Sequence, residues 1–296
     1  MKSGFIGLIG RPNVGKSTLL NGLTGRKIAI TSNKAQTTRN NIQGIYTDDD
    51  VQMIFVDTPG IHKPKNKLGK ALNKQAYVSI NDVDIIMFLV DITETLGPGD
   101  KYILNMLKGI NKPVILIINK IDKVPREDIL KKIDEYKDLY NFDEIIPVSA
   151  LKDINTTHLL DVLKKYLPDS IKYFDDETYT NVDTIFMISE YIREKVLELT
   201  EDEVPHSTTC IVENIEEDKN IISIGASIIV DRENLKKIII GKNGSKIKEI
   251  GIRARKDIEE LLNKKVYLDL FVKVMPKWRD RENLLKELGI KLYKNE

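Results

Sequence analysis

Short runs of apolar, often β-branched residues recur between residues 5 and 150, separated by stretches with helical spacing of apolar positions. The runs predict strands at 5–9, 42–46, 52–56, 85–91, 114–119 and 145–148. The intervening stretches predict helices at 17–23, 99–108 and 126–138, and a further helix at 155–166 closes this half. Strand alternating with helix is the pattern of βαβ units around a mostly parallel sheet with helices on both faces. Near-continuous segments such as Val114-Ile115-Leu116-Ile117-Ile118 fit strands covered on both sides. In such open sheets a ligand sits beyond the carboxyl ends of the strands.

The pattern changes after residue 168. Residues 169–181 are acidic and follow a proline, so they read as a linker. Beyond them the spacing predicts a helix at 184–199, strands at 207–216 and 221–231, a helix at 233–240 and a second helix after the tetrad Gly241-Lys242-Asn243-Gly244. In that second helix Ile247, Ile250, Ala254, Ile258, Leu261 and Leu262 form one buried stripe, and most of the basic residues fall off it. A strand at 266–274 precedes a basic tail that contains Trp278. The expected division is therefore 1–168, an α/β domain; 169–181, a linker; 182–276, a smaller α+β domain; and 277–296, a basic helix or tail.

A chain of 296 residues is long enough to bury two cores. Its apolar runs are far shorter than the roughly 20 residues that cross a bilayer, and the start lacks the pattern of a signal peptide. A cytosolic protein is expected. One cysteine, Cys210, leaves no internal disulfide and no multi-cysteine metal site. The net charge of +1 hides an asymmetry: residues 232–296 hold 18 Lys and Arg against 10 Asp and Glu. That end suits a polyanion, either nucleic acid or anionic lipid.

The chemistry lies at the predicted strand ends. Gly10-Arg11-Pro12-Asn13-Val14-Gly15-Lys16-Ser17, followed by Thr18, matches the phosphate-binding loop G-x-x-x-x-G-K-[ST], between a strand and a helix as it must be. Backbone amides would cradle the α- and β-phosphates, Lys16 would reach the β- and γ-phosphates, and the Ser17 hydroxyl would face Mg²⁺. Asp57-Thr58-Pro59-Gly60 follows the next strand but one, placing Asp57 near the metal through water and the Gly60 amide near the γ-phosphate. Asn119-Lys120-Ile121-Asp122 reads as a guanine reader, because the Asp122 carboxylate can accept from N1–H and the 2-amino group together. Asn119 would tie this loop to the phosphate loop, the Lys120 stem would cover the base, and Ser149-Ala150 would offer a backbone N–H to guanine O6. Four such motifs in order, each at a strand end, imply a GTP-binding domain.

With those motifs in place the chain resembles the Era family of bacterial ribosome-assembly GTPases, over essentially its whole length. The resemblance implies a P-loop GTPase fold followed by a type II KH domain, with two strands before the helix pair. It identifies Lys34-Ala35-Gln36-Thr37-Thr38-Arg39 as the first switch, in which Thr38, or less favourably Thr37, closes onto Mg²⁺ and the γ-phosphate. It implies that Ile61 stands where Ras-type GTPases carry a water-orienting glutamine, so slow intrinsic hydrolysis is expected. It matches Asn13 to an asparagine that holds K⁺ near the phosphates in potassium-activated relatives. No side chain is assigned as general base, His62 reading better as a loop residue. In the second domain Ile240, Gly241, Lys242, Asn243, Gly244, Ser245 and Lys246 fit the Gly-x-x-Gly loop that clamps single-stranded RNA. Trp278 would either stack on a base or pack on the domain.

The resemblance thus implies a monomeric GTPase switch with Mg²⁺, and K⁺ as a second candidate, that binds 16S rRNA near its 3′ end and assists assembly of the small ribosomal subunit. Two alternatives stay open on the residues alone. One is a peripheral membrane GTPase whose basic tail meets anionic lipid on the inner face of the cell membrane; the other is an RNA-binding module whose nucleotide site only stabilises the fold.

Overall fold

Six strands and five helices build the first half of the computed structural model, which describes residues 1–34 and 36–293. Strands β1 (Lys2–Gly10), β2 (Ile42–Thr47), β3 (Val51–Asp57), β4 (Ile85–Asp91), β5 (Val114–Asn119) and β6 (Glu144–Pro147) form one sheet in the order β2-β3-β1-β4-β5-β6. All neighbours are parallel except β2 and β3, an antiparallel hairpin turned by Asp48, whose carboxylate accepts from the amides of Asp50 and Val51. Every residue of β3, β4 and β5 is buried, as two covered faces require.

Helices α1 (Lys16–Thr24) and α5 (Thr156–Tyr166) cover one face, contributing Leu19, Leu20, Leu159 and Leu163 to the core there. Helices α2 (Lys67–Asn81), α3 (Pro98–Leu107) and α4 (Arg126–Lys137) cover the other, with Ala76, Ile80, Ile103, Leu107 and Tyr136. Helix α2 has no counterpart among the predicted elements. Its signal was present in the side chains: Asn66 caps it by accepting from the Gly69 amide at 2.8 Å, and Leu68, Leu72, Ala76 and Ile80 recur every fourth residue.

The predicted linker is laid along this domain. Lys2 and Asp169 form an antiparallel bridge, as do Gly44 and Thr180, and the Gln52 side chain bonds the backbone of Tyr173 and Phe174. The second half runs α6 (Thr184–Leu199), β7 (Thr208–Glu217), β8 (Ile221–Val230), α7 (Glu233–Ile240), α8 (Ser245–Leu262) and β9 (Lys265–Val274). Its sheet has the order β7-β8-β9, antiparallel then parallel, and α6, α7 and α8 pack on it. Ile250, Ala254 and Ile258 supply the buried stripe of α8. Cys210 lies in this core, where burial pushes its thiol up to about 12.

The tail is not a solvated appendage. Trp278 is fully buried, its Nε1–H donates to Ser207 O at 3.1 Å, and the short helix α9 (Glu282–Glu287) follows. Trp278, Leu285 and Ile290 pack with Leu68 and Leu72 of α2 and Ile229 of β8, so the tail fills the seam between the two halves. Base stacking by Trp278 is thereby corrected: an indole with both faces in a core has none to offer. The last three residues of the 277–296 segment, and Ala35 of the first switch, lie outside the described residues.

Candidate functional site

The carboxyl ends of β1, β3, β5 and β6 converge on one cavity of about 490 Å³. Pro12, Asn13 and Gly15 line it from the loop between β1 and α1, Lys16, Ser17 and Thr18 from the first turn of α1, and Thr37, Thr38, Gly60 and Lys120 from other segments. The loop closes tightly because Gly15 sits at φ 100°; a β-carbon there would meet the Asn119 amide at 2.2 Å. Val14 is core, and Pro12 packs against Gly60. The Arg11 guanidinium pairs with Glu94 at 2.6 Å and Asp100 at 3.1 Å, so only its backbone faces the loop interior. Lys16 is buried, donates to the carbonyls of Gly10 and Arg11, and is lowered to about 8 by burial, opposed by Asp57.

Three oxygens meet beside Lys16. Ser17 Oγ donates to Asp57 Oδ2 at 2.6 Å, Thr38 Oγ1 donates to the same atom at 3.1 Å, and the two hydroxyls are 2.9 Å apart. Burial raises the Asp57 pKa against the pull of Lys16, and Asp57 Oδ1 is buried without a hydrogen-bond partner. Two hydroxyls and a carboxylate with an unmet acceptor make an oxygen-only donor set that fits Mg²⁺. Of the two candidate threonines, Thr38 enters this cluster, whereas Thr37 Oγ1 turns back to donate to Lys34 O at 2.7 Å.

The second switch segment is anchored from behind. Thr58 is fully buried and donates to Leu8 O, Pro59 is buried, and the Ile61 amide donates to Gly10 O at 3.1 Å. Ile61 is itself buried and offers no polar atom to orient water. Gln36 Nε2 donates to His62 Nε2 at 2.8 Å, leaving Nδ1 as the protonated nitrogen that donates to Gly60 O at 2.9 Å. Both ring nitrogens are thus committed, joining the two switch segments.

At the base end, Asn119 Nδ2 donates to Val14 O at 2.8 Å and Asn119 Oδ1 accepts from the Ala150 amide at 3.0 Å. Lys120 Nζ reaches Asn13 O and Asp91. The Ser149 hydroxyl donates to Asp122 Oδ1, holding the carboxylate in place. The Ser149 amide donates to Ile154 O, so a base oxygen approaching Ala150 shares that N–H with Asn119. Exposed Leu151, which the sequence reading did not single out, also lines the cavity. Asn13 Nδ2 donates to Asn33 O at 2.8 Å, leaving its Oδ1 as an acceptor at the loop rim.

In the second half, Gly241 (φ 74°), Asn243 (φ 53°) and Gly244 (φ 75°) turn the chain between α7 and α8, with Lys242, Asn243 and Ser245 exposed. A β-carbon on Gly241 would meet the Lys246 Cβ at 2.8 Å. Beside this loop a groove of about 290 Å³ runs between α8 and β9, with Gly251 in its wall, exposed Ile252 and Tyr267, and Lys248 and Arg255 among its lining residues. Ile252 and Tyr267 were not picked out from the sequence, although both fall off the buried stripes of their elements.

Comparison with known proteins agrees with this anatomy. Residues 5–120 match the family model described as 50S ribosome-binding GTPase, and residues 203–279 match that of the KH domain. A crystal structure of Era in complex with MgGDPNP and nucleotides 1506–1542 of 16S ribosomal RNA is 44% identical, with a TM-score of 0.96, over 99% of this chain and 100% of that one. A variant of Aquifex aeolicus Era bound to GDP·AlF4⁻ is likewise 44% identical over 99% of this chain and 100% of that one, with a TM-score of 0.95. With a phosphate loop, two switch segments, a guanine loop and a Gly-x-x-Gly turn in one chain, and near-full-length likeness at that identity, this protein belongs to the Era family of GTPases.

Proposed function

We propose that this chain is a GTPase switch that binds Mg²⁺·GTP, hydrolyses it to GDP and phosphate, and binds 16S rRNA near its 3′ end through the KH domain, assisting small-subunit assembly. The observation that carries the reading is the meeting of Ser17, Thr38 and Asp57 beside buried Lys16, with one Asp57 oxygen unmet. It accords with the Era relatives, solved with MgGDPNP, with GDP·AlF4⁻ and with a 16S rRNA fragment.

The division of labour follows from the residues. Amides of the loop from Gly10 to Thr18 and the Lys16 ammonium hold the phosphates. Ser17 and Thr38 would hold Mg²⁺, with Asp57 approaching it through water, and the ion would supply positive charge against the phosphates. The Gly60 amide faces the γ-phosphate. Asp122 selects guanine, supported by Asn119, Lys120, Ser149 and Ala150. With Ile61 in place of a glutamine and His62 committed on both nitrogens, no side chain activates water, and intrinsic turnover is slow. Asn13 Oδ1 is the proposed K⁺ ligand. Residues 240–246 and the groove between α8 and β9 take single-stranded RNA, backbone against the glycines and bases over the apolar wall.

The same reading divides the chain at 168, 181 and 276 and places it in the cytosol as a monomer. Among the described residues no helix is long and apolar enough to cross a membrane. The rival in which the basic tail docks on lipid is not favoured by the packing of that tail, whose Trp278, Leu285 and Ile290 lie in the seam with Leu68, Leu72 and Ile229. The test is nucleotide binding and turnover in potassium and in sodium buffers. The expected result is tight GTP and GDP binding with ATP excluded, and faster hydrolysis in potassium. Equal affinity for ATP would overturn the GTPase reading, and equal rates in the two salts would remove K⁺ alone.

A further inference from the structure

The first switch and the segment just before it contact the second domain at several points. Ile30 packs in the core of the second half, Thr31 N donates to Glu194 Oε1 at 2.9 Å, and Lys27 pairs with Glu194 at 2.6 Å and Asp257 at 2.9 Å. The contacts tighten around Thr38. On one side Arg193 of α6 donates to Thr37 O. On the other, Arg39 donates to Thr208 O at 2.7 Å and to Pro205 O at 3.4 Å. Next to it the Asn40 amide, oriented with its nitrogen toward acceptors, donates to Gly289 O of the tail at 3.2 Å. Both arginines are almost fully buried, 1% exposed for Arg193 and 3% for Arg39.

We infer that Arg193 and Arg39 are positioning residues for Thr38, so that closure of Thr38 onto Ser17 and Asp57 and docking of the second domain on the first switch are one event. The inference rests on the proposed GTPase reading and names the residues through which its two halves communicate. Consecutive α-carbons are about 3.8 Å apart, so Thr38 cannot leave the oxygen cluster by more than a few ångströms while both neighbours stay docked. Releasing it strips hydrogen bonds from buried carbonyls and guanidinium groups, which favours an all-or-none change over a graded one. The latch is also poised. The two guanidinium groups are buried near each other, Glu190 pairs with Arg193 at 2.6 Å and offsets part of the charge at Arg39, and Arg39 Nε and Arg193 Nη1 have no hydrogen-bond partner. Like charge in a buried site opposes closure, so the ligand-side hold on Thr38 decides the balance.

Linkage then runs both ways: whatever holds Thr38 in place favours the docked domain, and whatever stabilises that arrangement tightens triphosphate binding. The test uses full-length Arg193→Ala, Arg193→Lys and Arg39→Ala, with affinities for a non-hydrolysable GTP analogue and for GDP in Mg²⁺. Each is measured with and without an RNA fragment from the 3′ end of 16S rRNA. Expected is a loss of roughly 5- to 20-fold in analogue affinity for both alanine variants. GDP affinity should stay within about twofold, and the RNA-dependent change in analogue affinity should disappear. Arg193→Lys, which keeps a donor for Thr37 O, should recover part of both. Retained GDP affinity doubles as evidence that the variants fold. Equal losses for GDP and analogue, or coupling to RNA that survives in both alanine variants, would overturn the latch. A wild-type chain that binds neither guanine nucleotide nor RNA would instead overturn the functional reading beneath it.

Discussion

Single side chains divide into those whose role follows from chemistry alone and those whose role depends on a distant neighbour. On the proposed reading Asp122 is of the first kind: only a carboxylate would accept twice from the guanine edge, and the Ser149 hydroxyl donates to it. Each hydrogen bond to a charged group contributes about 1.5–3 kcal/mol, so Asp122→Asn should lose guanine preference by roughly 10²-fold or more. Because an amide presents a donor, preference should move toward xanthosine nucleotides, read by competition binding with GTP and XTP. Unchanged base choice in that variant would remove Asp122 from the site. The roles proposed for Lys16, Ser17, Asp57 and Asn119 come from the sequence in the same way, since a phosphate, a metal and a loop tie would demand those groups at those spacings. Thr37 and Thr38 were not separable from sequence, being identical groups side by side in an irregular loop; the folded chain sends only Thr38 to Asp57. Arg39 was named only as a member of the first switch, and its docking gave no signal, because an arginine in a polar loop reads as solvated until the partner that buries it is known.

At the scale of elements, periodicity fared well wherever an element is apolar on its own account. Strands β4 and β5 and helix α6 fall where the pattern put them, because each has an apolar run or stripe that nothing else could hide. Helix α2 escaped because its buried face includes Gln75 and Ser79 and its exposed face is lysine-rich, which lowers contrast. For the tail, a helix and a packed Trp278 were among the expectations but the place of docking was not legible: its few apolar residues cover a seam belonging to two domains, a surface no local pattern records. Trp278 is the wedge in that seam. Trp278→Ala should therefore destabilise the protein by about 3–5 kcal/mol through the lost indole and the cavity it leaves. Leaving Ser207 O without its donor adds to the effect. Urea unfolding monitored by circular dichroism checks this, and a change of only a few tenths of a kcal/mol would mean that the tail is not docked as described.

For the whole molecule, two sites face two polyanions, and the first switch lies between them. Motif order disclosed both sites, and the resemblance over the full chain disclosed their pairing. How one senses the other was not legible, because it rests on contacts between residues more than 150 positions apart, such as Arg39 with Thr208 and Arg193 with Thr37. Charge follows the same division: the excess of basic residues after residue 231 serves the RNA end, while the nucleotide end gains its positive field from backbone amides and one buried lysine. A protein built in this way should bind RNA differently in different nucleotide states. Filter binding of a 3′-terminal 16S rRNA fragment to the wild-type chain, at fixed salt, with a non-hydrolysable GTP analogue, with GDP and without nucleotide, measures that directly. The account predicts the tightest binding with the triphosphate analogue; identical affinity in all three states would contradict it.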